Sequence, residues 1–474
     1  CEGLTIYNPK GGSQLPGVAE SWDISSDGLI YTFNLNKDAK WSNGDPVTAD
    51  DFVWSWKRIL TASLGSQYPD MLYYVKNAEK YHLGEIDDFS KVGVKAIDDK
   101  TLEVQLRSPT SFFIKLLHHY STYPVHKDTV LKFGPIDDRY GEWTRPGNFV
   151  CNGPFQLKSW ELNKKIVVER NPYYWDADVV KLNEMHFYPV QNESTEDRMF
   201  RAGQLHVTNV VPLEKCPVYI EENNPNLRIE PYMGTYFYRT NTTIDALKDK
   251  RVRKALAFAI NRKQVVERVS KCGQQPAYSF TPPGSDGYYP DTSIPFNPDL
   301  AKQLLSEAGY PNGDGFPKLE ILFNTQEGHR KIALAIQQMW QENLGIEVEL
   351  VNQDWKVYLS RERVGDFQIS RAGWIGDYED PNTFLDTLRP NRGNNKTGWE
   401  NQKYDDLLSL ANRTIDRDKR YEILNEAEKL LIDEMPIIPI YTYVRQYQLS
   451  NDVKGWYPNF QDIHHPKYIY LERD

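Results

Sequence analysis

The stretch that decides the fold is Leu319-Glu320-Ile321-Leu322-Phe323, then His329–Leu344, then Ile346, Val348 and Leu350, closing on Arg371-Ala372-Gly373-Trp374-Ile375. The first run is short and apolar, as a buried strand requires. In the second, Ile332, Ile336, Met339 and Trp340 recur at helical spacing and share one side. The third alternates as a strand does. Strands that alternate with helices pair in parallel, so the section from Phe316 to Ile375 predicts βαβ units and an α/β fold.

Three acids, Asp377, Glu379 and Asp380, follow the strand-like Ala372-Gly373-Trp374-Ile375. The carboxyl end of a buried strand is where α/β sheets bind ligands. The same acids could instead cap a helix carrying Phe384 and Leu385, with Asp380-Pro381 at its start. Residue chemistry leaves cap and ligand-holder both open. A second carboxyl facing Asp377 would suit glycoside hydrolysis, a third reading.

Outward from this section, the amino-terminal side is hairpin-rich. Tyr31, Phe33 and Leu35 fall on one face of an alternating run, and Asn43-Gly44 signals a turn. Thr48, with Asp50 and Asp51, opens a helix that carries Phe52, Val53 and Trp56 inward. Further elements are a strand over Leu102–Leu106, a short helix over Ser111–His119 and a strand over Lys164–Glu169. A helix is expected over Arg251–Val269, a final one over Tyr404–Ile432, and strands at Ile437–Val444. The Pro/Gly/Asp-rich Gly284–Pro298 predicts a long surface loop.

Composition narrows the function. The chain has 474 residues, 40% hydrophobic, enough for two or three domains. Its 56 basic and 66 acidic side chains give a net charge of −10, without the cationic field that nucleic acid demands. No run approaches the length of a membrane span. With 30 Tyr and 12 Trp the chain is rich in stiff amphipathic rings, which suit cores and ligand-gripping surfaces alike. Cys1, Cys151, Cys216 and Cys272 are far apart, without metal-ligand spacing. Disulfides are possible among them, but sequence cannot pair them. His118-His119 and His464-His465 are adjacent pairs, whose rings point apart on a strand. Neither nucleophile-elbow nor phosphate-loop motifs occur. The residues therefore suggest no enzyme, cofactor or metal.

Several blocks carry a resemblance. They include Leu15–Trp22, Tyr31–Leu35, Lys40–Phe52, Asn152–Phe155, Glu169–Trp175, Pro276–Pro283 and Arg371–Trp374. In order and spacing these resemble the family 5 solute-binding proteins of ABC importers, nearest to the oligopeptide-binding branch. The likeness covers essentially the whole chain. It implies a two-lobed α/β fold of the periplasmic-binding-protein type II kind, with an additional small domain and hinge closure around the ligand. The implied division is 1–146 for the small domain and 147–234 for the first part of the large lobe. The second α/β lobe spans 235–443, and 444–474 returns to the large lobe.

The resemblance also implies a function. A short peptide is bound extended, through its backbone, and delivered to permease subunits by a monomer outside the cytoplasm. By matching, Asp377 meets the peptide ammonium, and a buried charge is tolerable when so paired. Trp374 and Trp355 line side-chain pockets, Tyr68 closes from the small domain, and Tyr232 and Tyr443 contribute from the other side. Asn209 and the backbone of Arg371, Gly373 and Ile375 pair with the peptide, while Arg371 and His329 serve its carboxyl end. A dipeptide, a murein peptide or another small solute is the alternative ligand.

Four departures stand out. The opening stretch of the family pattern, with one strand of the large domain, has no counterpart before Cys1. The sequence is thus a fragment, or its cleft is built differently. Cys1 as a lipid-anchored cysteine is the competing reading, disfavoured because no polar tether follows it. Two basic positions that serve the peptide carboxylate at particular lengths appear as Ser270 and Glu362, with Lys271, Arg361 and Arg363 as nearby candidates to compensate. Gly234 and Ile375 stand where some relatives carry a disulfide.

Overall fold

Residues 1–390 and 392–472 are described by a computed structural model, in which the βαβ rhythm becomes half of a six-stranded sheet. The strands are β1 (Leu227–Thr240), β2 (Gln275–Pro276), β3 (Leu319–Asn324), β4 (Val348–Gln353), β5 (Ile369–Ile375) and β6 (Ile437–Gln448). Their order is β2-β6-β1-β5-β3-β4. The expected parallel pairing joins β3 to β4 along its length, and to β5 at Ile321↔Ile369 and Leu322↔Ser370. β1 runs antiparallel to both β5 and β6, so the sheet is mixed.

Helices cover both faces, which is why β3 buries Leu319, Ile321, Leu322 and Phe323 on its two sides. On one face Ile332, Ile336, Met339 and Trp340 of α1 (Glu327–Leu344) pack with Ile321, Phe323 and Ile369. The Trp340 indole donates to Leu256 O at 2.8 Å, so its burial leaves no orphan donor. On the other face Leu322 packs with Phe367 and with Tyr358 of α2 (Trp355–Val364).

Two long helices expected from periodicity are broken. The first, over Arg251–Val269, stops at Phe258 and resumes at Arg262 after Asn261, whose side chain accepts from Gln264 N–H. The stretch Val265–Ser270 is then a π-helix. The second divides into Gln402–Arg413 and α3 (Arg417–Glu434), because Asp416 caps a new start by accepting from Lys419 N–H. Gly284–Pro298 is a loop, as expected, but side chains of α3 hold it. Tyr421 bonds Asp286, Asn425 receives Asp291 N–H, and Glu428 receives Tyr288 O–H.

The chain forms two compact units, Cys1–Val207 with Leu449–Asp474, and Thr208–Gln448, which holds the sheet above. In the first, an antiparallel sheet buries Tyr31, Phe33 and Leu35 on one face. Beside it, Ala49–Leu60 begins at Thr48, whose N–H reaches the Asp51 carboxylate at 2.8 Å. The helix expected over Ser111–His119 is only Phe113–Leu116. The two chain passages between the units are hydrogen-bonded neighbours, by a Val207↔Leu449 bridge and by Thr208 N–H to Gln448 O. Cys216 and Cys272 form a disulfide within the second unit, buried with Val211 and Tyr219. Among the described residues no helix is long and apolar enough to cross a membrane.

Candidate functional site

β5 is paired unequally on its two sides. Against β1 it is bonded from Ile369↔Thr240 to Ile375↔Gly234. Against β3 it is paired only at Ile369 and Ser370. From Arg371 onward, therefore, the second edge has no strand partner among the described residues. Its N–H and C=O groups can accept an added strand.

Arg371 stands where that edge becomes free. Alternation puts Arg371, Gly373 and Ile375 on one face, with the cross-strand Tyr238, Tyr236 and Gly234 beside them. The guanidinium lies 4.8 Å from the Tyr236 ring centre. Its Nη2 donates to Tyr443 Oη at 2.9 Å and its Nη1 to Asn324 Oδ1 at 3.4 Å, while Nε is buried without a partner. A Cβ at Gly373 would stand 2.5 Å from Tyr443 Oη, so glycine there makes room for that hydroxyl. Among the described residues no carboxylate lies within ion-pair distance of Arg371. His329, near the start of α1, has its ring 5.6 Å from Tyr236. Burial, then the Arg371 charge, hold its imidazole well below the ordinary range, so it is neutral at pH 7.

The other end of the edge is a turn. Trp374 Nε1 donates to Thr383 O at 2.8 Å, and Asp377 N–H to Thr383 Oγ1 at 2.9 Å. The Asp377 side chain is half-buried. Asp380 is deeply buried and gives both its oxygens to Arg420 of α3. It is therefore not the second, solvent-reaching acid that glycoside hydrolysis would require.

Trp355 opens α2, exposed, with its ring stacked on Tyr358 at 5.6 Å. Tyr358 Oη in turn donates to Arg371 O. Tyr232 meets Tyr443 edge-on at 6.4 Å. The sequence-selected Arg371, Gly373, Tyr443, Tyr232, His329 and Trp355 thus share one network, with Ile375 on the same strand face, and Trp374 and Asp377 are joined through Thr383. Asn209 meets β6 two residues beyond Tyr443, where its carbonyl and side chain accept from Arg445. Tyr68 belongs to the first unit, where its ring lies 5.2 Å from His119.

Of the departures, Glu362 is buried and accepts from Arg239 Nη1 at 2.6 Å and Ser370 Oγ at 2.7 Å. Arg361 pairs with Glu320 and Asp366. Ser270 is buried, its hydroxyl bonded to Val266 O in the π-helix. Gly234 and Ile375 are register partners, and the Ile375 side chain fills the space a Cβ at Gly234 would need. Sequence reasoning missed Tyr236, Tyr238 and Tyr358, which frame the guanidinium. The one available signal was the period-two spacing of Tyr236 with Tyr238 and of Tyr441 with Tyr443.

An α/β unit whose sheet leaves one strand edge open, with a guanidinium and a carboxylate at its two ends, offers an extended ligand a place to pair. Residues 14–396 match the family model for bacterial extracellular solute-binding proteins, family 5 (middle region), and the chain belongs to that family. It is 38% identical over 470 residues to the oligopeptide-binding protein OppA of Bacillus subtilis, covering 96% of this chain and 84% of that one. It superimposes on the murein tripeptide-binding protein MppA of Escherichia coli with a TM-score of 0.92, at 36% identity, over 100% of this chain and 92% of that one. Against Haemophilus influenzae OppA in complex with RPPGFSPFR the TM-score is 0.91, at 33% identity, over 99% and 92% of the two chains. The fold is thus the α/β periplasmic-binding-protein fold of this family, and the protein is a non-enzymatic solute-binding component.

Proposed function

We propose that this protein captures short peptides outside the cytoplasm, as a monomer, and hands them to the permease of an ABC importer. The observation that carries the reading is the open edge of β5 between Arg371 and Asp377. A peptide added there as a strand would satisfy the free ladder groups, whatever its sequence. Its ammonium would lie at Asp377 and its carboxylate at Arg371, a cation without a carboxylate partner among the described residues. Trp374 and Trp355 would receive side chains. The names of the relatives support a peptide ligand. The buried Cys216–Cys272 disulfide supports an oxidising, extracytoplasmic location.

A thermal-shift series tests the reading. A binding peptide raises the melting temperature through linkage, and Asp377→Ala is expected to remove most of that rise. Equal stabilisation by free-amino and N-acetylated peptides would exclude the ammonium clamp. A murein peptide is the second reading, favoured by the likeness to the murein tripeptide-binding structure. Native mass spectrometry of co-purified ligand separates the two by mass.

A further inference from the structure

Asp377 sits on a turn, yet a charge clamp must be held to within about 0.5 Å of its working position. The turn itself offers little regular structure before the short helix Asn382–Leu385. What fixes it is a relay of bonds from α3. Arg420 Nη2 donates to Asp380 Oδ1 at 2.6 Å, and Nη1 to Oδ2 at 2.8 Å, with the side chains 3% and 2% exposed. Asp380 Oδ1 also accepts from Asn382 N–H at 2.9 Å, and Asp380 O from Thr383 N–H at 3.2 Å. Thr383 then receives Asp377 N–H on its hydroxyl and the Trp374 indole on its carbonyl. At the far end of the relay, α3 is anchored by the buried Leu424, Ala427 and Leu431.

A fork-to-fork ion pair fixes direction as well as distance. Buried pairs of this kind contribute little net stability but can specify one arrangement. Asp377, Glu379 and Asp380 are also close in sequence. Neutralising Asp380 internally lets the turn carry Asp377 without a second buried negative charge beside it.

We propose that the Asp380–Arg420 pair is a positioning device, which orients Asp377 toward the ammonium of the ligand through Thr383. The proposal rests on the clamp reading given above. Its readout is the ratio of affinities for trialanine and N-acetyl-trialanine, titrated calorimetrically on the full chain. A purely structural pair would not move that ratio.

Asp377→Asn tests the clamp itself and is expected to bring the ratio close to one. Asp380→Asn is expected to lower the ratio about tenfold, and Thr383→Val, which removes one hydroxyl from the relay, about threefold, since charge-assisted bonds depend steeply on geometry. A collapsed ratio in Asp377→Asn with a wild-type ratio in both other variants would overturn the positioning proposal and leave the clamp standing. A wild-type ratio in Asp377→Asn, or no binding or discrimination by the unmodified protein, would instead overturn the clamp reading and the proposal with it. If Asp380→Asn does not fold, the ratio in Thr383→Val decides.

Discussion

Two arginines in the same unit are paired in opposite ways. Arg420 meets Asp380 with both terminal amines. Arg371 lies among Tyr236, Tyr443 and Asn324, with neutral His329 nearby and no carboxylate partner among the described residues. A guanidinium does not lose its charge in a protein, so Arg371 keeps a full cation in an apolar setting. The paired arginine is part of the frame. The other has no carboxylate among the described residues, and a ligand carboxylate is the complement proposed for it above.

The largest expected effect would break the comparison on the framed side. Arg420→Met leaves Asp380 buried without a cation, and about 3–5 kcal/mol of stability should go, read from urea denaturation. The corresponding Arg371→Met variant should behave in the opposite sense. Its stability should stay within about 1 kcal/mol of the parent, because an uncompensated buried charge is removed, while peptide affinity falls by about 2–5 kcal/mol. Two variants with equal losses of stability would erase the distinction. Asp377→Asn should weaken a free-amino peptide by about 1.5–3 kcal/mol, measured by calorimetry, with little change in melting.

Two buried acids, one on the turn and one on α3, sharpen the same contrast with a smaller effect. Asp380 has its cation, whereas Glu428 accepts from the N–H groups of Phe280 and Thr281 and from the Tyr288 hydroxyl, with no cation paired to it among the described residues. Burial pushes its carboxyl up from 4.5 to about 7. Its protonated form is favoured by folding, so its share of stability is complete below pH 4.5 and is lost as pH rises through about 7. Glu428→Gln should flatten that decline in denaturation midpoints taken across the same range. A slope unchanged by the substitution would assign the decline to other groups.

Legibility in the sequence followed the range of the interactions. The strand–helix–strand unit from Leu319 to Leu350 was legible because its signals are local periodicities. The position of Asp377 just after β5 was legible too, although residue chemistry alone could not choose between a cap and a clamp. The ring of tyrosines around Arg371 was not, since β1 and β6 supply it from distant parts of the chain. The break before Asp416 was hidden because apolar spacing continues across it, and only the cap interrupts the helix. Likewise four cysteines could not announce the Cys216–Cys272 pair, which forms across a separation of 56 residues among Val211, Tyr219 and Ile229.

The half-paired β5 also bears on handling. A strand edge with unsatisfied ladder groups is a template for any extended chain, including another copy of the same protein. The stretch Arg371–Ile375, proposed above to take a peptide, would serve self-association equally when no ligand is present. Occupancy would then act as protection: preparations stripped of ligand should form oligomers sooner on storage than those kept with it, as light scattering would reveal.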